Sequence, residues 1–345
     1  VPYLYWTYCY SYSLFNWYWC FWCRSSSCFW SSWIFTCNLE WYSTTIPSCI
    51  SLYNNWLMSI KRFKDIIDAY ETGNVHYTSY RKVPSQVTTS RTWFDLSQSP
   101  WNPNPQYFAS TPLVGTPMYR SVQWGINHWT DHPTKTKYLA KTTLIASSVN
   151  AQWQYILCDY LYYYPFIDEG DTEEQLLDNS NPMTRYTDWA GVQIMALTVA
   201  ARNGWTRFQV KYTNQDGVEW RLSQIMVKTS IQAIWTVAHT AWIWVSNGNT
   251  TSAFIWLQQW DTGVRKIESV TMLDSDVWLL TFVLVKPIVN TCFVWIDAPV
   301  EVEYVRDTAL QLPEIKPDAF LSYLCSPWNS ISGVTIMWDF TFIKN

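Results

Sequence analysis

The sequence predicts an all-β protein of the β-sandwich or jelly-roll type, with a short N-terminal helix and a long extended arm rich in proline. Runs of β-branched and aromatic residues recur between turn signals from residue 136 onward. Strand patterns do not alternate with helical ones, which argues against a parallel α/β sheet and the common cofactor-binding folds. The alternating pattern of Phe208–Thr213 precedes Asn214–Gly217, a turn sequence typical of β-hairpins.

The first 57 residues differ in composition from the rest of the chain. They hold 8 of the 25 Trp and 6 of the 9 Cys, no Gly, and only two charged residues, Arg24 and Glu40. They show neither helical nor strand periodicity, and they match neither a transmembrane helix nor a signal peptide. We expect translation of the native protein to begin at Met58, so that residues 1–57 are a disordered product of upstream translation.

A short amphipathic helix is predicted at residues 58–71, ended by Gly73. Four residues would share its apolar face: Ile60, Phe63, Ile66 and Ile67. The arm that follows, from about 74 to 135, is rich in Ser, Thr, Asn and Pro, so we expect extended backbone with few paired strands. Because its aromatic residues argue against disorder, we expect this arm to lie across a neighbouring subunit.

Residues 136–345 are predicted to form the sandwich domain. Eleven candidate strands lie at Tyr138–Val149, Tyr155–Tyr164, Gly191–Ala200, Phe208–Thr213, Leu222–Thr229, Ser252–Leu257, Val264–Met272, Val277–Val285, Val300–Tyr304, Ala319–Leu324 and Gly333–Phe342. One segment of this domain, Glu173–Asn179, is predicted to be helical.

Tryptophan and glycine occur in unusual proportion, with 25 Trp against 10 Gly, whereas average proteins contain far more Gly than Trp. Many Trp residues, including Trp101, Trp205 and Trp328, stand in turn sequences that favour Gly. We hypothesise that UGA codons, read as Gly in the native code, were translated as Trp; UGG codons at these three positions would refute this. Trp93 has a strand context and is expected to be authentic. The alternative is an authentically Trp-rich carbohydrate binder.

His128 and His132 are weak candidate metal ligands. On a helix, their H-x3-H spacing would direct two imidazoles at one metal. Asn127 and Pro133 indicate a loop instead, so a solvated turn is the preferred interpretation.

Asp168 and Asp171 are weak candidates for calcium binding. They belong to an acidic run whose carboxylates could supply oxygen ligands, but Gly170 comes too early for an EF-hand loop. A solvated loop that caps the next helix is preferred. The sequence therefore predicts no metal and no cofactor.

Catalytic signatures are also missing from the sequence. The motif G-x-S-x-G does not occur, and the spacing of Asp159 and Asp168 says nothing about whether they form a glycosidase pair. Three cysteines follow Met58, and we expect them to be buried free thiols suited to a reducing cytoplasm: Cys158, Cys292 and Cys325. We predict that the protein is not an enzyme.

The formal charge of −4 and pI near 5.6 argue against a nucleic-acid surface, for which a domain pI above roughly 9 is typical. Binding to an anionic membrane is disfavoured for the same reason.

Seven stretches carry a resemblance to a known family: Arg81–Gln86, Trp93–Ser97, Asn102–Tyr107, Cys158–Asp168, Arg185–Asp188, Tyr212–Gly217 and Ile296–Val302. Through them, residues 58–345 resemble uncharacterised virion structural proteins of tailed bacteriophages. Members of that family look to carry Gly at six positions where this chain has Trp: 101, 189, 205, 260, 278 and 295.

The resemblance implies a capsid, capsid-decoration or tail component that forms homo-oligomers, binds other virion proteins and is assembled in the host cytoplasm. It implies no active-site residue. Two other functions remain open: a carbohydrate-binding or adhesin-like module that stacks sugars on Tyr162–Tyr164, and a hydrolase.

Overall fold

The computed structural model describes residue 60 and residues 62–111, 113–200, 204–228, 233–237, 240–241, 252–293, 298–307 and 311–345. These residues belong to one compact unit, Ile50–Asn345. The predictions that concern residues 1–57, Trp295 and residues 296–297 lie outside the described residues.

Strands dominate this part of the chain. Three α-helices are described, α1 (Phe63–Glu71), α2 (Arg120–Gln123) and α3 (Tyr304–Asp307), together with two short 3-10 helices at Leu96–Gln98 and Val149–Ala151. The strands are β1 (Val75–Lys82), β2 (Phe94–Asp95), β3 (Trp101–Asn102), β4 (Thr116–Pro117), β5 (Lys137–Ala146), β6 (Trp153–Tyr163), β7 (Ile167–Asp168), β8 (Glu174–Leu176), β9 (Gln193–Thr198), β10 (Thr206–Asn214), β11 (Arg221–Leu222), β12 (Met226–Lys228), β13 (Thr240–Ala241), β14 (Val264–Met272), β15 (Leu279–Phe293), β16 (Val300–Glu303), β17 (Glu314–Ile315), β18 (Phe320–Pro327) and β19 (Ile336–Lys344).

The strands form three antiparallel sheets. The first sheet has the order β16-β5-β19-β1-β3, with β17 beside β5. The second has the order β2-β18-β6-β15-β7, with β4 beside β6 and β9 beside β15. The third has the order β13-β12-β10-β14-β8, with β11 beside β10. The all-β sandwich prediction is confirmed.

The second sheet contributes to two hydrophobic cores. Along β15, Val283 and Val285 belong to the core shared with the first sheet, whereas Phe282 and Leu284 belong to the core shared with the third. Successive side chains of a strand point to opposite faces, so this sheet is covered on both sides. That position explains the nearly continuous apolar run of β6, since a strand buried on both faces has no polar side.

Most strand predictions agree with the structure, and the hairpin is confirmed. Strand β10 pairs with β11, and the Asn214 N–H donates to the Val218 carbonyl across the turn at 3.1 Å. Gly217 adopts φ +81 there, which a side chain would disfavour.

Two local predictions are wrong. Glu173–Asn179 is not helical but contains β8, whose residues pair with β14. Ser252–Leu257 is not a strand, although the Ile255 N–H donates to the Ile194 carbonyl at 2.9 Å. In Glu173–Asn179, pairing with β14 outweighs the local helical pattern.

The predicted helix forms as α1, but its apolar face is divided. Ile66 is buried against the first sheet, whereas Phe63 and Ile67 are 62% and 54% exposed. The helix ends near Gly73 (φ +70), as expected.

The proline-rich arm lies on its own chain. Strand β1 pairs along its whole length with β19, and β2 and β4 join the second sheet. Apolar side chains of the arm, among them Phe94, Leu96 and Met118, are buried in the core of the same chain. Burial of these aromatic and aliphatic groups stabilises the irregular arm against the sheets of its own chain.

Tryptophan occupies unusual backbone positions. Eleven non-glycine residues of the described chain have positive φ, and eight are Trp: Trp101, Trp124, Trp129, Trp153, Trp189, Trp220, Trp235 and Trp260. This conformation is a genuine outlier for a bulky side chain and is readily adopted by glycine.

Candidate functional site

His128 lies in the loop after α2 and has no solvent exposure. Its ring accepts a hydrogen bond from Lys137 Nζ at Nδ1 (2.6 Å) and donates one from Nε2 to the Ala319 carbonyl (2.9 Å). Because an ammonium only donates, the imidazole is the neutral tautomer with its proton on Nε2. Burial, reinforced by the charge of Lys137, lowers the pKa of His128 to about 3. This differs from the solvated turn expected, since both ring nitrogens hold the fold together.

His132 has a different environment. It is exposed, and its Nδ1 accepts from the main-chain N–H of Thr134 at 3.2 Å. Across the described residues, no cluster of three or more His, Cys, Asp or Glu side chains is placed to hold a metal ion. His128 and His132 therefore do not bind one metal ion together. Both ring nitrogens of His128 are engaged in hydrogen bonds within the fold, and His132 faces solvent.

The same loop is anchored by an ionic cluster that the sequence did not indicate. Lys137 Nζ, which holds His128, also donates to Asp131 Oδ1 at 2.6 Å. Asp131 Oδ2 in turn accepts from the Asp318 main-chain N–H at 2.9 Å. Arg120 lies 3.9 Å from both Asp131 and Asp318. The cluster joins α2, β5 and the loop before β18.

Asp168 and Asp171 use their carboxylates to shape the acidic loop. Asp168 Oδ1 accepts from the Gly170 N–H and Asp171 Oδ1 from the Glu173 N–H, each at 2.8 Å. Side-chain bonds to the backbone two residues on are typical of Asx turns. The predicted exposure agrees with the structure, but the loop leads into β8 rather than capping a helix.

Between these two candidates, Glu169 points inward and is fully buried. It forms an ion pair with Lys228 of β12, whose Nζ lies 3.5 Å from Asp276 Oδ2. Sequence reasoning missed this group because its members come from distant segments. The one available signal was Lys228 at the end of an otherwise apolar strand.

Asp159 and Asp168 do not share an environment. Asp159 is fully buried and accepts two bonds from Arg185, at 2.8 and 3.0 Å, plus one from the Phe320 N–H at 3.1 Å. A bidentate carboxylate with a further amide donor is a structural ion pair. Asp168 is exposed, so the arrangement does not resemble a glycosidase pair.

The cysteine prediction holds for two residues of three. Cys158 and Cys325 are buried and free, and burial raises the pKa of each thiol well above its usual value. Cys292 is also free but exposed; it lies near the end of β15, where the strand still pairs with β6 but no longer with β9.

The proposed sugar-stacking surface is not exposed. Tyr162, Tyr163 and Tyr164 are 2%, 9% and 0% exposed, since they belong to the covered second sheet. The hydroxyl groups of Tyr162 and Tyr164 donate to Asn181 O and Asn179 Oδ1. These rings are core residues, and the prediction that they form a binding platform is wrong.

An apolar stripe lies on the solvent face of α1. It comprises Phe63, Ile67 and Tyr70, which are 62%, 54% and 49% exposed. Their spacing of four and three residues places them on one side of the helix. Tyr77 of β1, a hydrogen-bond neighbour of Tyr70, extends the stripe and is 67% exposed. Contiguous exposed apolar groups of this kind mark interaction surfaces.

Comparisons with known proteins identify no relative. No family model matches the chain, and no curated protein matches it. Among solved structures, "Structure of infectious bursal disease virus Gx strain" matches with 9% identity over 79% of each chain and a TM-score of 0.14. A similarity of that size carries no argument. Within the described residues, no helix has the length and apolarity needed to cross a membrane.

Proposed function

We propose that this chain is a structural protein of a tailed-bacteriophage virion, in the capsid, its decoration or the tail, and that it works by self-association. The resemblance of residues 58–345 supports the family. The all-β sandwich is compatible with it, and the candidate chemical residues have structural contacts instead of a shared site. The observation that most directly supports self-association is the exposed apolar stripe of α1.

The stripe suits a second copy of the same chain. Helix α1 already buries Ile66 and Ala69 against its own sheet, so the stripe is a second apolar face with no partner among the described residues. In a pair related by a two-fold axis at Ile67, Phe63 of one copy would pack on Tyr70 of the other. Such an interface is isologous, because the same patch serves both subunits.

The charges beside the stripe complement each other in this antiparallel arrangement. Lys64 flanks its N-terminal end and Glu71 its C-terminal end, and both are exposed. The two-fold axis would bring Lys64 of each copy opposite Glu71 of the other. Complementary charges of this kind fix the register of an association more than its strength.

Sedimentation of the Ile67→Asp variant tests the proposal. Two carboxylates at the axis would repel, so we expect at least tenfold weaker association, about 1.4 kcal/mol. Val87→Asp is the matched control, since Val87 is 70% exposed on another surface and its variant should associate normally. Lys64→Glu should also weaken association, and Lys64→Glu/Glu71→Lys should restore it. A monomeric wild-type protein, or equal association of Ile67→Asp and wild type, would refute the stripe as the contact.

We also propose that the native chain has Gly at most Trp positions after Met58. The eight Trp residues with positive φ support this, because glycine alone adopts that conformation without cost. Among the described residues, Trp205, Trp256, Trp278 and Trp328 are outside that set, so at these four the proposal does not rest on backbone conformation. Trp93 and Trp338 are buried core residues and should be authentic.

Peptide mass spectrometry of protein from the native source decides the residue identities. We expect Gly at 101 and 260 and Trp at 93 and 338. Trp at 101 and 260 would refute the codon hypothesis while leaving the stripe, which contains no Trp, unaffected.

A further inference from the structure

Three side chains from separate segments meet at a buried point between two sheets. Lys228 comes from β12 of the third sheet, Glu169 from the turn after β7 of the second, and Asp276 from the loop before β15. The Lys228 Nζ contacts the Glu169 carboxylate, and Asp276 Oδ2 lies 3.5 Å from the same Nζ. Lys228 and Glu169 have no solvent exposure. An amine and a carboxyl group are thus held together away from water, with the partly exposed carboxyl group of Asp276 beside them.

The backbone fixes both carboxyl groups. The Asp276 N–H donates to the Glu169 carbonyl at 2.9 Å, and the Glu169 N–H donates to the Trp278 carbonyl at 2.8 Å. Gly204 leaves room for Asp276, since a Cβ there would lie 2.2 Å from Asp276 Oδ2. The Thr206 hydroxyl donates to Glu169 Oε2 at 3.4 Å. Groups fixed in contact by a folded backbone react with a large effective concentration.

The site does not suit a lysine ammonium. An ammonium has three N–H donors that need acceptors when they are buried. Apart from its contact with Glu169, the Lys228 Nζ has no hydrogen bond of ordinary geometry within the described residues, and neither does Asp276 Oδ2. Burial lowers the pKa of Lys228 to about 8, so the neutral, nucleophilic amine is accessible near physiological pH.

We propose that Lys228 and Glu169 form an intramolecular amide bond, with Asp276 as the proton carrier. The lone pair of the neutral amine attacks Cδ of the protonated Glu169 carboxyl group. Asp276 takes a proton from the attacking nitrogen and returns it to the departing hydroxyl. The C–O bond then breaks, the N–C bond remains, and one water molecule leaves. No oxidant, reductant or cofactor is needed, and Asp276 ends in its original state.

The amide fits this environment better than the ion pair does. It is neutral, so it avoids the desolvation cost of two buried charges. It keeps a single N–H, for which the unpaired Asp276 Oδ2 is an acceptor. Exclusion of water also protects the bond from hydrolysis. The bond would join the second and third sheets covalently and restrict the unfolded chain as a disulfide does.

Mass spectrometry of the denatured wild-type protein tests the bond directly. The linked chain is lighter than its sequence by one water molecule, and trypsin does not cleave after an acylated Lys228. The peptide that contains Glu169 should therefore be recovered joined to the one that contains Lys228. Recovery of both as separate peptides, with cleavage after Lys228, would overturn the proposal. This readout uses the wild-type chain, so it does not depend on a variant folding.

Variants assign the roles. Lys228→Arg and Glu169→Ala should each abolish the linked peptide. Asp276→Asn should reduce the linked fraction in freshly made protein, because the proton carrier is lost. Lys211→Arg is the matched control: Lys211 forms an exposed pair with Glu174 at 2.7 Å, and this variant should remain fully linked. Full linkage in Asp276→Asn would refute the role of Asp276 and leave the bond itself supported.

Discussion

Two lysines of the described chain, Lys82 and Lys228, are fully buried in similar sheets but have opposite surroundings. Lys82 donates to the carbonyls of Pro103 at 2.7 Å and Ser99 at 2.9 Å, and its Nζ lies 3.5 Å from the Ser97 carbonyl. Three neutral acceptors match the three donors of an ammonium. Lys228 instead contacts a carboxylate and lacks ordinary hydrogen bonds. The first site surrounds the amine with neutral acceptors, and the second places it against a carboxyl group with which it can react.

The two lysines also connect different parts of the structure. The carbonyls around Lys82 belong to residues 97–103 of the arm, so this lysine holds that part of the arm against β1, the arm's own first strand. Lys228 instead joins the third sheet to the turn after β7 of the second. Burial alone therefore does not predict what a lysine does; the charge and number of its acceptors do.

The largest effect is expected from Lys228→Met. This change leaves the Glu169 carboxyl group buried without its partner, whether amide or ion pair, so the free energy of unfolding should fall by about 3–5 kcal/mol. Denaturant titration measures it. Lys211→Met removes the exposed ion pair with Glu174 and should lower the free energy of unfolding by no more than about 1 kcal/mol. Equal midpoints for the two variants would show that the buried group contributes nothing to stability.

Lys82→Met should have a smaller effect, about 1–3 kcal/mol, because it leaves neutral carbonyls without a donor instead of a charge without its partner. The loss should be local. Hydrogen exchange should increase in residues 97–103 and remain unchanged in β12. Faster exchange in β12 would contradict the separation of the two sites.

Sequence reasoning found the fold because β-branched runs and turn signals are local features. It placed β14 at Val264–Met272, its observed limits. It missed the burial of His128, the Glu169–Lys228 pair and the anchoring of the arm, because each depends on contacts between distant segments. The helical prediction for Glu173–Asn179 failed for the same reason: β8 exists only because β14 lies beside it.

The smallest expected effect is the pH dependence of the unfolding free energy, which also distinguishes Lys82 from Lys228. Burial lowers the pKa of Lys82 from 10.5 to about 7 and that of Lys228 from 10.5 to about 8. At a pH between the folded-state and unfolded-state pKa values of a lysine, the unfolded chain binds more protons than the folded one. The free energy of unfolding therefore rises with pH in that range, by at most about 1.4 kcal/mol per pH unit for each lysine. Below about pH 6, neither lysine contributes a slope, because each is protonated in both the folded and the unfolded state.

An amide at Lys228 does not titrate, so of these two lysines only Lys82 should contribute to the slope of the linked protein. Burial also lowers the pKa values of Lys137 and Lys344, so the contribution of Lys228 is isolated by comparing Lys82→Met with Lys82→Met/Lys228→Met from pH 6 to pH 10. If Lys228 is linked, the two variants should show the same slope of unfolding free energy against pH. A steeper rise above about pH 8 in Lys82→Met than in the double variant would mean that Lys228 still titrates as a free amine, and would contradict the contrast between the two sites.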